Sequence, residues 1–155
     1  MVPFSITADW EPRGTPRAYH EDDVALWSEE MRALFRFVAE YEGPLTLHFG
    51  DLAIRLDLDD LPYPYQHLDT VFTALAVDGG EADLYFAAQG TELRLALRRT
   101  GDIVTVRFHP GRTAPAEFAP LTGRGVTVSL DGFIGAWTDL RVRARAAMTR
   151  PRSTE

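Results

Sequence analysis

The chain has 155 residues and a formal net charge of −7; it contains no cysteine, and arginine supplies all 16 of its basic residues. Disulfides and thiolate metal sites are therefore excluded, and so is a phosphate-binding loop that needs lysine. The acidic total argues against nucleic-acid binding, which needs a basic footprint. The length predicts one domain, residues 1–149, followed by a flexible tail, residues 150–155. No pattern indicates a cofactor.

The sequence also bears on cellular location. The segment Met1–Glu11 has neither a basic start nor a long apolar stretch, so we expect no signal peptide. No run approaches the ~20 apolar residues that a membrane-spanning helix needs. Lysine and asparagine, which have A-rich codons, are both absent, which indicates a bacterial gene of high G+C content. We expect a cytoplasmic protein without membrane contact.

The first predicted elements are a strand at Val2–Thr7, a loop at Asp9–Arg17 and a long helix. Carboxylates at residues 21–23 suit the helix start, and Gly43 is placed to follow its end. Apolar residues at spacings of three and four predict the buried face of this helix. They are Val24, Trp27, Met31, Leu34, Val38 and Tyr41.

Three glycine-led pairs predict two-residue hairpin turns: Gly50-Asp51, Gly90-Thr91 and Gly101-Asp102. Such turns fix the register, and apolar residues then face apolar residues in nearly every pair. The first turn pairs Phe49 with Leu52. The second pairs Ala88 with Leu93, Phe86 with Leu95, and Leu84 with Leu97. The third pairs Arg99 with Val104, Leu97 with Val106, and Leu95 with Phe108.

The remaining elements are a helix at His67–Val77, a long connection at Pro110–Arg124, a strand at Gly125–Leu130 and a final helix at Asp131–Met148. The buried face of the last helix is predicted at four positions. They are Phe133, Trp137, Leu140 and Ala144. The order predicts an α+β fold: one antiparallel sheet of five to seven strands, covered on one face by three helices in a two-layer sandwich.

No catalytic motif and no metal motif is complete. The only serine near a strand end, Ser129, lacks the glycines of a hydrolase elbow. His48 lies near an acidic cluster in the sequence and allows a cation or acid–base site, but a solvated strand end with turn-forming aspartates is the simpler and preferred interpretation. Trp10, Trp27 and Trp137 allow a ligand cage, but helix-core packing is the simpler interpretation for Trp27 and Trp137.

Charge is unevenly distributed, because residues 1–83 carry 5 Arg against 17 acids whereas residues 84–155 carry 11 Arg against 6 acids. An acidic surface with aromatic anchors predicts a protein-binding role, for example an immunity or antitoxin-like inhibitor without catalytic chemistry. The candidate partner-binding residues are Asp57, Asp59, Asp60, Tyr63, Tyr65 and Asp69.

The alternative hypothesis uses the opposite kind of surface. The hairpin registers place Arg94, Arg98, Arg107 and His109 together on the outer face of the central strands. These residues predict an anion-binding face, which suits an enzyme or a binder of a small anionic ligand, or an ordinary solvated sheet face. A free edge at Gly125–Leu130 also allows a homodimer.

Overall fold

The computed structural model describes residues 1–18, 28–88 and 90–150. Its helices are α1 (Glu29–Glu40), α2 (Pro62–Tyr65), α3 (Leu68–Leu75) and α4 (Leu130–Met148), with 3-10 turns at Leu58–Asp60 and Ala116–Leu121. Nine strands accompany them in the described part of the chain. They are β1 (Phe4–Ala8), β2 (Glu11–Pro12), β3 (Tyr41–Glu42), β4 (Pro44–Phe49), β5 (Leu52–Asp57), β6 (Glu81–Phe86), β7 (Leu93–Thr100), β8 (Ile103–Pro110) and β9 (Gly125–Ser129).

The α+β class with antiparallel pairing is confirmed, but the prediction of a single sheet is wrong. The strands form a three-stranded sheet β1-β4-β5, a two-stranded sheet β2-β3 and a four-stranded sheet β6-β7-β8-β9. One backbone hydrogen bond, from Val2 N to Thr127 O at 2.8 Å, joins the start of β1 to β9. The two larger sheets therefore lie side by side without a continuous ladder, and Val2 occupies part of the β9 edge that was expected to be free.

Two of the three predicted hairpin registers are confirmed. Phe49 pairs with Leu52, and Arg99 pairs with Val104. The leading glycines Gly50 and Gly101 both have φ of +61°. A positive φ at the first central position alone is what a type II′ turn requires.

The register around Gly90 is wrong by two residues, because the loop between β6 and β7 is longer than two residues. Phe86 pairs with Leu93 and Leu84 with Leu95, so Ala88 lies in the loop and not opposite Leu93. A shift of two residues preserves the face of every side chain, since the period of a strand is two. The assignment of inner and outer faces therefore survives the error.

Helix α1 is shorter than predicted. Its N-cap is Ser28, whose hydroxyl accepts a hydrogen bond from Met31 N at 3.2 Å, so Glu29 occupies the first turn in place of the predicted carboxylates at residues 21–23. Residues 19–27, including Val24 and Trp27, lie outside the described part of the chain. Residues 151–155, most of the predicted tail, also lie outside it.

The prediction that Gly43 follows the end of the helix is wrong. Helix α1 ends at Glu40, and strand β3 follows it directly. The physical reason for glycine here is the close approach of another backbone segment. A Cβ at Gly43 would overlap the carbonyl oxygen of Asp9. The position therefore serves packing between two chain segments.

The buried apolar residues form one cluster to which helices α1, α3 and α4 and the inner faces of both larger sheets contribute. The predicted buried face of α4 is confirmed, from Phe133 to Ala144. Phe49 of β4 meets Phe108 of β8 edge-on at 5.2 Å, so the two sheets share this core. With the core on one side, the opposite face of the four-stranded sheet is left to solvent.

Candidate functional site

The outward face of the four-stranded sheet carries all four of the predicted anion-binding residues. Along β7 and β8 buried apolar residues alternate with outward polar ones, so strand periodicity alone sends these side chains away from the core. Arg94 pairs with His109, Ala96 with Arg107, and Arg98 with Thr105. The structure thus confirms the predicted neighbourhood of Arg94, Arg98, Arg107 and His109 on one face.

Ala96 is a small residue surrounded by larger side chains on this face. Its neighbours on the same strand are Arg94 and Arg98, and its cross-strand partners are Asp83 on β6 and Arg107 on β8. Their Cα atoms lie within about 7 Å of Ala96, given ordinary strand spacing. A depression of about 690 Å³ opens here, and four charged side chains surround the small methyl group.

Two of the three arginines are paired within the face. Arg94 Nη1 lies 3.2 Å from Asp83 Oδ1, and Arg98 Nη1 lies 3.8 Å from Glu81 Oε1. All four side chains are between 43% and 69% exposed. Ion pairs this exposed contribute about 0–1 kcal/mol each, so a partner can displace them at little cost.

Arg107 differs from the other two arginines. Its side chain is exposed and makes no hydrogen bond or ion pair with any residue in the described ranges. It lies across Gly125 on β9: a Cβ added there would be 3.4 Å from Arg107 Nη1 and 3.6 Å from its Cγ. Gly125 is the first residue of β9, and the stem of Arg107 lies over it at van der Waals distance.

The acidic residues that were predicted to bind a partner do not form one exposed surface. Asp59 is paired with Arg13 Nη2 at 2.9 Å and with Arg17, so its charge is neutralised within the fold. Asp60 is buried and accepts hydrogen bonds from Asp57 N and Thr91 Oγ1. Burial raises the pKa of the Asp60 carboxyl, although the hydrogen bond from Asp57 N and that from Thr91 oppose the rise.

The other predicted contact residues are separated by the fold. Tyr65 is buried, and its hydroxyl donates to Glu30 Oε1 at 2.7 Å. Burial and this hydrogen bond raise the pKa of the Tyr65 hydroxyl. Asp69 is paired with Arg141 at 2.6 Å. The prediction that Asp60 and Tyr65 are surface contacts is therefore wrong, because both are interior residues. Asp57 is exposed and Tyr63 is half-buried, so their role as contact residues stays a prediction.

His48 does not meet the acidic cluster. Asp57 pairs with Pro44, four residues along β4 from His48, which is about 13 Å at ordinary strand rise. His48 Nε2 instead shares a hydrogen bond of 2.9 Å with Thr7 Oγ1. Within the described ranges, no cluster of three or more histidine or carboxylate side chains is arranged to hold a metal ion.

The tryptophans that are described do not form a cage. Trp137 is fully buried and stands 6.4 Å from Phe86, ring centroid to centroid. Trp10 packs edge-on against Phe37 and lies beneath the guanidinium of Arg143 at 4.9 Å. Each ring is therefore used in packing.

Sequence reasoning missed two features of the face. Ala96 and Gly125 were given no role because small residues carry no charge, yet Ala96 lines the depression and Gly125 lies against the side chain of Arg107. The signal was available in part, because the register predicted for the Gly101 turn, which pairs Leu97 with Val106 and Leu95 with Phe108, also places Ala96 opposite Arg107.

Comparison of the chain with protein-family models, curated proteins and solved structures yields no match. Among the described residues, no helix combines the length and apolar character needed to cross a bilayer. The chemistry of this face is therefore the main guide to function.

Proposed function

We propose that this protein is a non-catalytic binding module, and that it contacts a protein partner through the open face of the four-stranded sheet. The depression around Ala96 receives a carboxylate of the partner, and Arg107 is its principal ligand. The observation that carries this proposal is the state of Arg107: it is exposed, lies over Gly125 and has no acidic partner in the described part of the chain.

The charge pattern favours the open sheet face, rather than the predicted acidic residues, as the surface that contacts the partner. A carboxylate such as Asp59 is already held by two arginines, so a basic partner would compete with intramolecular ion pairs. Among the described residues, Arg107 has no intramolecular carboxylate that a partner would have to displace. The overall charge of −7 repels acidic molecules, so attraction to this face must come from the local cluster of arginines.

The shape favours a macromolecule over a small ligand. Pockets for small molecules are mostly apolar and enclose most of the ligand, whereas this depression is ringed by charged side chains on an open sheet. Four strands present a face on the order of 400 Å². Stable interfaces bury about 800 Å² per partner, so we expect a weak, salt-dependent contact or a partner that extends beyond the sheet.

The experiment uses an end-capped acidic hexapeptide, Glu-Glu-Ser-Ser-Glu-Glu, as the probe and measures its dissociation constant at low salt. We expect Arg107→Gln to weaken binding by about three- to tenfold, the loss of one charge-assisted contact. Arg112→Gln is the matched control, because Arg112 is exposed and lies in the connection after β8, outside the depression. It should change binding by less than about twofold.

Equal losses in the two variants would mean that the peptide responds only to net charge. The absence of binding at millimolar peptide would also contradict the proposal. Both variants replace exposed side chains, so their thermal unfolding should match the wild type and exclude loss of structure as an explanation.

We also propose a bacterial cytoplasmic setting; the absence of lysine and asparagine, whose codons are A-rich, supports a bacterial gene of high G+C content. Inhibition of a toxin in the manner of an immunity or antitoxin protein is one form of such binding. It requires here that the target present carboxylates to the arginines of the sheet.

A further inference from the structure

We propose that the depression around Ala96 selects a dipolar segment of the partner, with a carboxylate toward β8 and a cationic side chain toward β6. This rests on the proposed function and adds the chemical class of the contacting segment. The basis is the order of charges across the sheet. Acids occupy β6, arginines occupy β7 and β8, and the row through the depression reads Asp83, Ala96, Arg107, Gly125.

The β6 side of the depression is negative at two successive outward positions. Glu81 and Asp83 are both more than half exposed, at 69% and 56% of the side chain. They face Arg98 and Arg94 at 3.8 Å and 3.2 Å, so they partly neutralise these two arginines. A partner carboxylate approaching that side meets like charge, which is unfavourable at cross-strand distance.

The β8 side has the opposite character. Arg107 has no carboxylate beside it in the described part of the chain, and its neighbour across the ladder is the uncharged Gly125. A carboxylate is therefore most stable here, at the end of the row farthest from Glu81 and Asp83. Strands β6 and β8 are separated by two strand spacings, about 9.6 Å.

This separation sets the spacing between opposite charges that a bound peptide needs. An extended peptide laid across the strands advances about 3.3 Å per residue, so opposite charges about three residues apart reach both sides of the depression. A uniformly acidic segment satisfies Arg107 and is repelled at β6. A dipolar segment satisfies both sides, and such charge complementarity acts mainly on the choice of partner.

The test compares the acidic hexapeptide with a dipolar one, Glu-Glu-Ser-Ser-Arg-Arg, which differs only in its last two residues. We expect wild-type protein to bind the dipolar peptide about threefold or more tightly than the acidic one at low salt. In the double variant Glu81→Gln and Asp83→Asn this preference should disappear or reverse, because the β6 side is then neutral.

This inference is overturned if the wild type binds the acidic peptide as tightly as the dipolar one or more tightly, or if the double variant keeps the preference unchanged. The latter would mean that the acids play no part in selection. Arg107→Gln separates this inference from the proposed function. If that variant weakens both peptides while the wild type shows no preference, only the dipolar selection fails; if it weakens neither, the proposed function itself fails.

Discussion

Arg107 on β8 lies across Gly125 on β9 at contact distance, since a Cβ on the glycine would stand 3.4 Å from the guanidinium Nη1. Gly125 has an ordinary extended backbone, since it is not among the glycines with positive φ. Its conformation therefore does not require glycine. The absent side chain instead leaves space for the stem of the arginine and sets where the guanidinium rests.

Substitution at Gly125 should separate stability from binding. Gly125→Val fills the space under Arg107 and pushes its side chain off the sheet, so we expect binding of the acidic hexapeptide to weaken by about threefold. Stability should hold or rise by about 0.5 kcal/mol, because glycine is unfavourable in a strand. Gly125→Ala, whose Cβ is near ordinary contact distance, is the milder control. Unfolding and peptide titration of the same samples check both effects.

Gly43→Ala tests the close approach of two backbone segments. The new Cβ would overlap the carbonyl oxygen of Asp9, and backbone cannot move aside as a flexible side chain can. We expect a loss of about 3 kcal/mol or more in the free energy of unfolding. Gly14→Ala is the matched control, since nothing lies within 4 Å of its added Cβ. It should change stability by at most about 1 kcal/mol, in the stabilising direction. Equal effects of both changes in denaturant titrations would contradict the packing assignment.

Tyr65→Phe tests the partly buried hydrogen bond to Glu30. The hydroxyl donates to Oε1 at 2.7 Å, and Arg145 Nε binds the same oxygen at 2.5 Å. Loss of a hydrogen bond to a charged group costs about 1.5–3 kcal/mol. Tyr63→Phe is the control, because no hydrogen bond joins the Tyr63 hydroxyl to a described residue; it should cost less than about 0.5 kcal/mol. Similar losses from both substitutions in urea unfolding would show that the hydroxyl of Tyr65 is not specifically held.

Asp60 makes stability depend on pH in a defined direction. Burial raises the pKa of its carboxyl, so the ionised form is the less favoured form in the folded protein. The protonated Asp60 carboxyl therefore contributes its full share to the free energy of unfolding below the unfolded-state pKa of about 3.9. This contribution is lost as pH rises through the folded-state pKa.

Asp60→Asn removes this titration. As pH rises from 4 to 7, the free energy of unfolding of the variant should increase relative to that of the wild type, because only the wild type loses stability through ionisation of Asp60. Urea unfolding of both proteins at several pH values measures this difference. A difference that stays constant with pH, or that moves the other way, would show that the carboxyl is not disfavoured in its ionised form.

Sequence patterns spanning a few residues were enough to predict two hairpin registers and the buried face of one helix. A two-residue turn led by glycine determined the registers around Gly50 and Gly101, and the spacing of four apolar residues determined the buried face of α4. The turn at Gly90 could not be resolved this way. Its loop extends from Ala87 to Glu92, and Glu92 takes a positive φ of 36° that no glycine signals.

The acidic residues show where sequence reasoning stops. Beyond the local donor Asp57 N, Asp60 accepts a hydrogen bond from Thr91, 31 residues away, and Tyr65 donates one to Glu30, 35 residues away. Neither partner is visible to a pattern that extends only a few residues. The basic face was predictable because strand alternation and hairpin register are short-range rules. The pairing of its arginines with the acids of β6 depended on the loop register that was wrong by two residues.

The most direct test of the account is to map where the acidic hexapeptide binds on wild-type protein, by the change in amide chemical shifts during a titration. We expect the largest shifts at Ala96 and its neighbours Arg94, Arg98, Thr105 and Arg107, and a loss of these shifts as salt is raised. Shifts centred on any other surface, or none at millimolar peptide, would contradict a binding role for the open sheet face.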